Sequence, residues 1–407
     1  MIDRIAIRGF KSFLQVEVEL GRMNLFVGVN GSGKSNFFDA LRVLQGIGNG
    51  FTVGEILDGK PRSATNETWD GIRGGSNKAC FEGAVSPSTF AITVRGEFRP
   101  QRRNVPWEYS ITMSPSKGRV AQERLIVDRL TLYDSTPADK GEIDDPVLEV
   151  RYYRGNPGRQ PHLKLERARP ALPQLENDSK VTHQHAAYAA QIAEEIADMQ
   201  RVDPAPTILR GYSQARQVVR MGERGENFAA LVDTFCAEGK TKEAYLDWLK
   251  ELRPAEVDDV ATLKGAVGEP LFMLRERERD FPAPVLSDGT LRFAAIAAAF
   301  FQPDMPQVMT IEEIENGVHA SRSRLLLELI RSQSAASGTQ VMATTHSPSV
   351  LGWLDTSEYA NTYFCHRDPN TGEAGITPLQ KLPNFKDIVA SQSVAELFAD
   401  GWMEAAL

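Results

Sequence analysis

Gly28-Val29-Asn30-Gly31-Ser32-Gly33-Lys34-Ser35 fits the phosphate-binding pattern G-x-x-x-x-G-K-[ST] without a mismatch. Its flanks suit the pattern. Residues 23–27 (MNLFV) form a short apolar run of strand type. Residues 35–46 carry Phe37, Phe38, Leu41 and Leu44 at the spacing of one helix face. Strand, glycine loop and helix make a device in which loop amides and a helix N-terminus point at phosphate oxygens. Asn30, Gly31, Ser32, Gly33, Lys34, Ser35 and Asn36 are the candidate nucleotide-binding residues. Lys34 is expected to reach the β- and γ-phosphates, and the Ser35 hydroxyl to ligate Mg²⁺.

The 407 residues suffice for one large composite domain or two to three ordinary ones. No apolar run is long enough to span a bilayer, and the alternating opening MIDRIAIRGF lacks the shape of a signal peptide. The expected compartment is the cytoplasm. Cys80, Cys236 and Cys365 stand far apart without zinc-type spacing, so buried thiols are expected rather than disulfides or a zinc site. A net charge of −8 argues against wholesale wrapping of nucleic acid. It leaves room for a local DNA-contacting strip, for which 95–103 (RGEFRPQRR) and the arginine-rich 151–169 are the candidates.

Along the chain, 1–10 and 14–20 read as two strands of a hairpin. Residues 46–65 are glycine-rich and loop-like, and 69–75 read as a short element ending in a turn. Alternating or β-branched runs at 90–94, 107–113, 124–127 and 147–153 predict short antiparallel strands. Pro, Gly and Arg in 156–173 suggest a mobile linker. Helical spacing follows at 188–200, 227–237 and 242–252, without a sustained heptad pattern. The last third returns to α/β: a nearly all-apolar helix at 291–301, strands at 308–311, 339–345 and 361–365, a helix at 321–333, and a helical C-terminus from 392. The expected segments are 1–80 and 285–407 as two halves of one core, with a β-rich lobe (81–175) and a helical insertion (176–284) between them.

Glu312 and Glu313 end an apolar strand, where P-loop enzymes place a metal-holding carboxylate and a water-orienting one. Glu312 is the candidate for the metal and Glu313 for the general base. His346 closes the next strand and could sense a γ-phosphate. Ser287-Asp288-Gly289-Thr290 supplies an N-cap and, beyond that, a second anion-binding helix start.

These stretches stand in the order seen in ABC-type ATPases of the RecF/SMC-like group: 28–35, 286–290 (LSDGT), 311–319 (IEEIENGVH) and 344–348 (TTHSP). The opening IRGFKSF and the block 224–231 (RGENFAAL) also resemble theirs. The chain is most similar to compact prokaryotic AAA-type members, among them ATPase subunits of anti-phage defence systems such as AriA of PARIS, and to the ATPase half of OLD-family proteins. The resemblance implies a P-loop NTPase of ABC type that uses ATP and Mg²⁺ and closes head to tail in ATP-sandwich dimers. It implies that Ser287 and Gly289 contact the γ-phosphate on the partner's P-loop. It further implies that Glu313 is hydrolytic, His346 a switch histidine, Asn316 and Gly317 an interface-crossing loop, and Arg292 a phosphate-responsive switch. Glu312 stands where most ABC ATPases have Asp, and Ile314 where the group has proline. The implied role is a defence ATPase governing a separately encoded, nuclease-like effector. A RecF-type repair ATPase acting on DNA and a non-hydrolysing ATP-dependent scaffold are the alternatives.

Overall fold

The computed structural model describes residues 1–60, 69–82, 89–98, 103–135, 142–153, 160–254 and 256–407. The chain forms two compact units. The first comprises Met1–Gly21, Gly28–Met199 and Cys365–Thr377; the second comprises Arg22–Val27, Gln200–Phe364 and Pro378–Leu407.

The first unit is built on an antiparallel sheet. Its strands are β1 (Ile2–Phe10), β2 (Phe13–Glu19), β4 (Phe90–Phe98), β5 (Val105–Ser114), β6 (Arg119–Val127), β7 (Leu130–Ser135), β8 (Val147–Tyr152) and β9 (His162–Glu166), β3 being reserved for the strand Met23–Val27 of the second unit. They lie in the order β2-β1-β4-β5-β6-β7-β8-β9. Alternation explains the pattern: in β4 every second residue from Phe90 to Phe98 is buried, which puts one face on the core. Glu123 on β6 is the polar hub of that core. Its carboxylate accepts from Tyr109 and Tyr133 hydroxyls at 2.9 and 2.8 Å, and from the Leu172 and Ala171 amides at 2.9 and 2.6 Å. Burial nonetheless pushes its carboxyl upward from the ordinary glutamate range. The P-loop helix Lys34–Gly48 packs on the helix His183–Ala197. Gly48 permits that approach, since a Cβ there would lie 2.4 Å from the Ala193 carbonyl oxygen.

Parallel strands organise the second unit. β3 lies between β15 (Gln340–Thr345) and the start of β16 (Thr362–Arg367), and β14 (Val308–Ile311) pairs with the far side of β15. β14 and β15 are buried along their whole length, as expected of strands covered on both faces. The helix Asp288–Ala299 starts at an N-cap, where Ser287 Oγ accepts from the Thr290 amide at 3.2 Å. Its small alanines are buried around the whole helix from Leu291 onward, so neighbouring elements can surround it. Between residues 199 and 285 the chain forms β10 (Met199–Val202), helices Phe228–Cys236 and Gly239–Leu252, and an antiparallel sheet of β11 (Val257–Lys264), β12 (Pro270–Glu276) and β13 (Arg279–Pro282).

Several local expectations change. The run 46–65 is not a plain loop: the P-loop helix continues to Gly48, and Val53–Asp58 is a helix opened by a Thr52–Glu55 capping box. Residues 61–68 lie outside the described residues, as do 156–159 of the expected linker. The linker's described part contains β9, whose strict alternation buries Leu163 and Leu165. Only Cys365 is fully buried; Cys80 and Cys236 are half-buried, and all three are free. Among the described residues, no helix is long and apolar enough to cross a membrane.

Candidate functional site

Within the first unit the glycines of 28–33 make a cradle that side chains would fill. A Cβ on Gly28 would lie 2.3 Å from the Cys365 carbonyl oxygen. Gly31 and Gly33 take φ of +83° and +104°, where glycine alone is unstrained. Lys34 is buried and folds back, donating from Nζ to the Gly28 and Val29 carbonyls at 2.6 and 2.9 Å. Ser32 Oγ is buried in the loop without a hydrogen-bond partner. An orphaned hydroxyl beside an ammonium and a left-handed glycine turn suits an anion's oxygens. Asn36 Nδ2 donates to Ser12 Oγ at 2.7 Å.

A group that sequence reasoning missed supports this loop from below. Asp39 on the P-loop helix pairs with Lys11 at 2.5 Å and Arg73 at 3.2 Å, and Arg73 donates to the Ser35 carbonyl. Burial pulls the Lys11 ammonium below its ordinary pKa. Lys11, Ser12, Gly31, Asn36, Arg73 and Arg367 line a cleft of about 630 Å³. The sequence signal was a single acid within the P-loop helix, which the structure buries.

In the second unit, β14 delivers the two glutamates to different environments. The Glu312 carboxylate pairs with Arg201 at 3.1 Å and is mostly buried, its side chain 13% exposed. Glu313 turns the chain sharply with φ +47°, its amide donating to Thr344 Oγ1 at 2.8 Å. Ile314 continues the turn by donating to the Thr344 carbonyl at 3.1 Å. That Ile314 amide occupies the place of the group's proline, which could not donate. Glu315, unassigned by sequence reasoning, receives the His346 amide at 2.8 Å and lies 3.2 Å from its Nδ1. Buried Arg292 donates to the Glu312 carbonyl at 3.0 Å and the Pro204 carbonyl at 2.9 Å, and pairs with Asp203 at 3.2 Å.

Ser287, Gly289 and Thr290 open onto a cleft of about 530 Å³ that Gly317, His319 and Arg322 also line. Gly289 and Gly317 meet backbone to backbone: a Cβ on Gly289 would lie 2.2 Å from the Gly317 carbonyl oxygen. Asp288 pairs outside the cleft with Arg210 at 2.6 Å. Asn316 donates its amide to the Glu313 carbonyl at 2.9 Å, closing the turn that carries Gly317. The second unit thus gathers the signature residues, the loop 316–317, both glutamates and His346, while the first gathers the P-loop and its support.

Several described arginines of the candidate DNA strips have partners within the chain, and Arg154 and Arg159 lie outside the described residues. Arg95 pairs with Glu108 and Arg103 with Asp128; Arg99 and Arg102 lie outside the described residues. Arg167 is buried against the Val147 and Val120 carbonyls, and Arg169 pairs with Glu166.

A model described as "AAA ATPase domain" matches residues 1–59, and one described as "AAA domain, putative AbiEii toxin, Type IV TA system" matches 163–352. Among curated proteins, an ATP/GTP phosphatase of Helicobacter pylori is 21% identical over 364 residues, covering 87% of this chain and 88% of that one. Among solved structures, an SMC head bound to the C-winged helix domain of ScpA is similar with a TM-score of 0.49 and 12% identity, over 92% of this chain and 96% of that one. The SMC head domain of Thermotoga maritima is similar with a TM-score of 0.44 and 13% identity, over 93% and 98%. Two AAA matches on a parallel sheet with a complete P-loop agree with the expected α/β P-loop NTPase fold. The chain is an ATPase, and its residues 1–59 and 163–352 match models of AAA domains.

Proposed function

We propose that this ATPase works in the ABC manner, with ATP bound on the P-loop of one copy and met by the Ser287–Thr290 helix start of a second. The observation that carries this reading is the cleft at Ser287 and Gly289, where a capped helix N-terminus, the Gly317 loop and Arg322 converge on open space. Such a convergence suits a phosphate brought by another chain. Val285 and Val29, 65% and 54% exposed beside the two motifs, would be covered by closure.

In this reading Asn30 to Asn36 bind the triphosphate, and Lys34 exchanges its two loop carbonyls for phosphate oxygens. Glu313 takes a proton from the attacking water, and His346, braced by Glu315, faces the γ-phosphate. Asn316 and Gly317 form the crossing loop. Ser35 on the P-loop and Glu312 on β14 would each be a candidate oxygen ligand for Mg²⁺. Their donors are hard oxygens, and a phosphate-borne Mg²⁺ needs only one or two of them. The ion supplies charge neutralisation along the phosphates.

The biological role we favour is regulation of a separately encoded, nuclease-like effector in anti-phage defence, supported by the toxin-system description of the matched AAA family. The test is Glu313→Gln, which should keep ATP binding, lose turnover and accumulate an ATP-dependent assembly on size exclusion, with Lys34→Ala as the non-binding blank. Wild-type turnover by Glu313→Gln would refute the assignment.

A further inference from the structure

Glu312 sits in a pre-existing charge network rather than facing solvent. Arg201, on β10, bridges it at 3.1 Å through Nη2 to Glu223 at 2.9 Å through Nη1, with Asp203 at 3.7 Å. One guanidinium therefore has three carboxylates in reach, and its Nε is buried with no acceptor. The backbone beneath it is locked. Gln200 and Gln302, both buried, exchange amide hydrogen bonds, and Gln200 also donates to the Met221 carbonyl at 2.8 Å. The strand is thus fixed while the arginine head can choose among partners.

We propose that Arg201 is an internal counter-cation for Glu312, which a divalent cation must displace before nucleotide and metal are held together. This rests on the reading of Glu312 as the metal-side carboxylate. A mostly buried carboxylate needs a compensating charge, and here a guanidinium provides it. Two cations cannot share that carboxylate at close range without strong repulsion. The released guanidinium keeps Glu223 and gains Asp203, so it is not stranded. Asp203 also holds Arg292 of the signature helix, so Arg201's move toward Asp203 would compete with Arg292 and tie metal loading to that helix.

The experiment measures binding of a fluorescent non-hydrolysable ATP analogue by anisotropy as Mg²⁺ is titrated, using the full chain. In Arg201→Gln the half-saturating Mg²⁺ should fall on the order of tenfold, the scale of one charge-assisted hydrogen bond. In Glu223→Gln the arginine loses the nearer of its two alternative partners and leans harder on Glu312, so half-saturating Mg²⁺ should rise. The opposite signs keep the proposal testable if one variant folds poorly. Metal requirements unchanged in both, or raised in Arg201→Gln, overturn it. Glu312→Gln separates the two levels. If it keeps the wild-type Mg²⁺ dependence, the metal reading itself fails and takes this proposal with it. If it alone among the three loses that dependence, only the counter-cation role fails.

Discussion

Glu313 holds φ +47°, a conformation that costs a residue with a Cβ on the order of 1 kcal/mol. Strain of this kind persists where the surroundings over-determine it, and here the Thr344 hydroxyl and carbonyl pin the turn from both sides. Glu313→Gly should therefore raise stability toward denaturant by about 1 kcal/mol while abolishing phosphate release. A destabilised variant would mean that the glutamate side chain, not the backbone turn, organises the loop. Glu123 makes the contrasting case. Replacing it by Gln leaves an amide NH₂ facing the Ala171 or Leu172 N–H and should destabilise by about 1–3 kcal/mol. Its folded-state pKa is raised, so the wild type's advantage is fullest at acid pH and shrinks as pH climbs above the ordinary glutamate range. A gap that widened with rising pH in parallel melts would reverse that sign. The glutamate pair at 312–313 was legible because a carboxylate pair ending an apolar strand is a recurring pattern. Arg201, Glu315 and Asp39 were not, since each matters only through partners distant in sequence.

At the scale of elements, close backbone approach decides what can be changed. Gly289 lets the signature helix touch the Gly317 turn, and a methyl group would collide with a carbonyl that has nowhere flexible to go. Gly289→Ala should push helix start and turn apart, sparing binding of ATP to the P-loop but weakening ATP-dependent association at least tenfold by analytical ultracentrifugation. Association at wild-type strength would show that the helix start and turn need not touch. The motif-bearing elements were readable, because glycine, capping and apolar runs are dictated locally; β14 falls on 308–311 as expected. β9 was hidden because Pro, Gly and Arg around it masked a five-residue alternation. The sheet of β11 to β13 was missed because burial along β12 is nearly continuous, leaving no clean period to read.

On the scale of the whole molecule, each compact unit is assembled from separated stretches of chain, and the strand that leads into the P-loop belongs to one unit while the loop belongs to the other. Sequence order alone could not show this, because strand pairing between residues hundreds of positions apart leaves no local trace. The division makes the head-to-tail reading testable without a structure of the assembly. Lys34→Ala removes the P-loop function, and Ser287→Arg places a long cation in the signature cleft; each alone should be inactive. If nucleotide on one copy is completed by the signature of another, a mixture of the two variants contains heterodimers with one wholly wild-type site. Random mixing then restores up to about a quarter of wild-type turnover, since half the dimers are mixed and one of their two sites is intact. If each copy completes its own site, no mixture can rescue, because every chain carries a lesion. Activity that rises on mixing and scales with the heterodimer fraction is the expected result. A mixture as inactive as its components, with heterodimers demonstrably present, would place the signature and the P-loop of one chain at the same nucleotide.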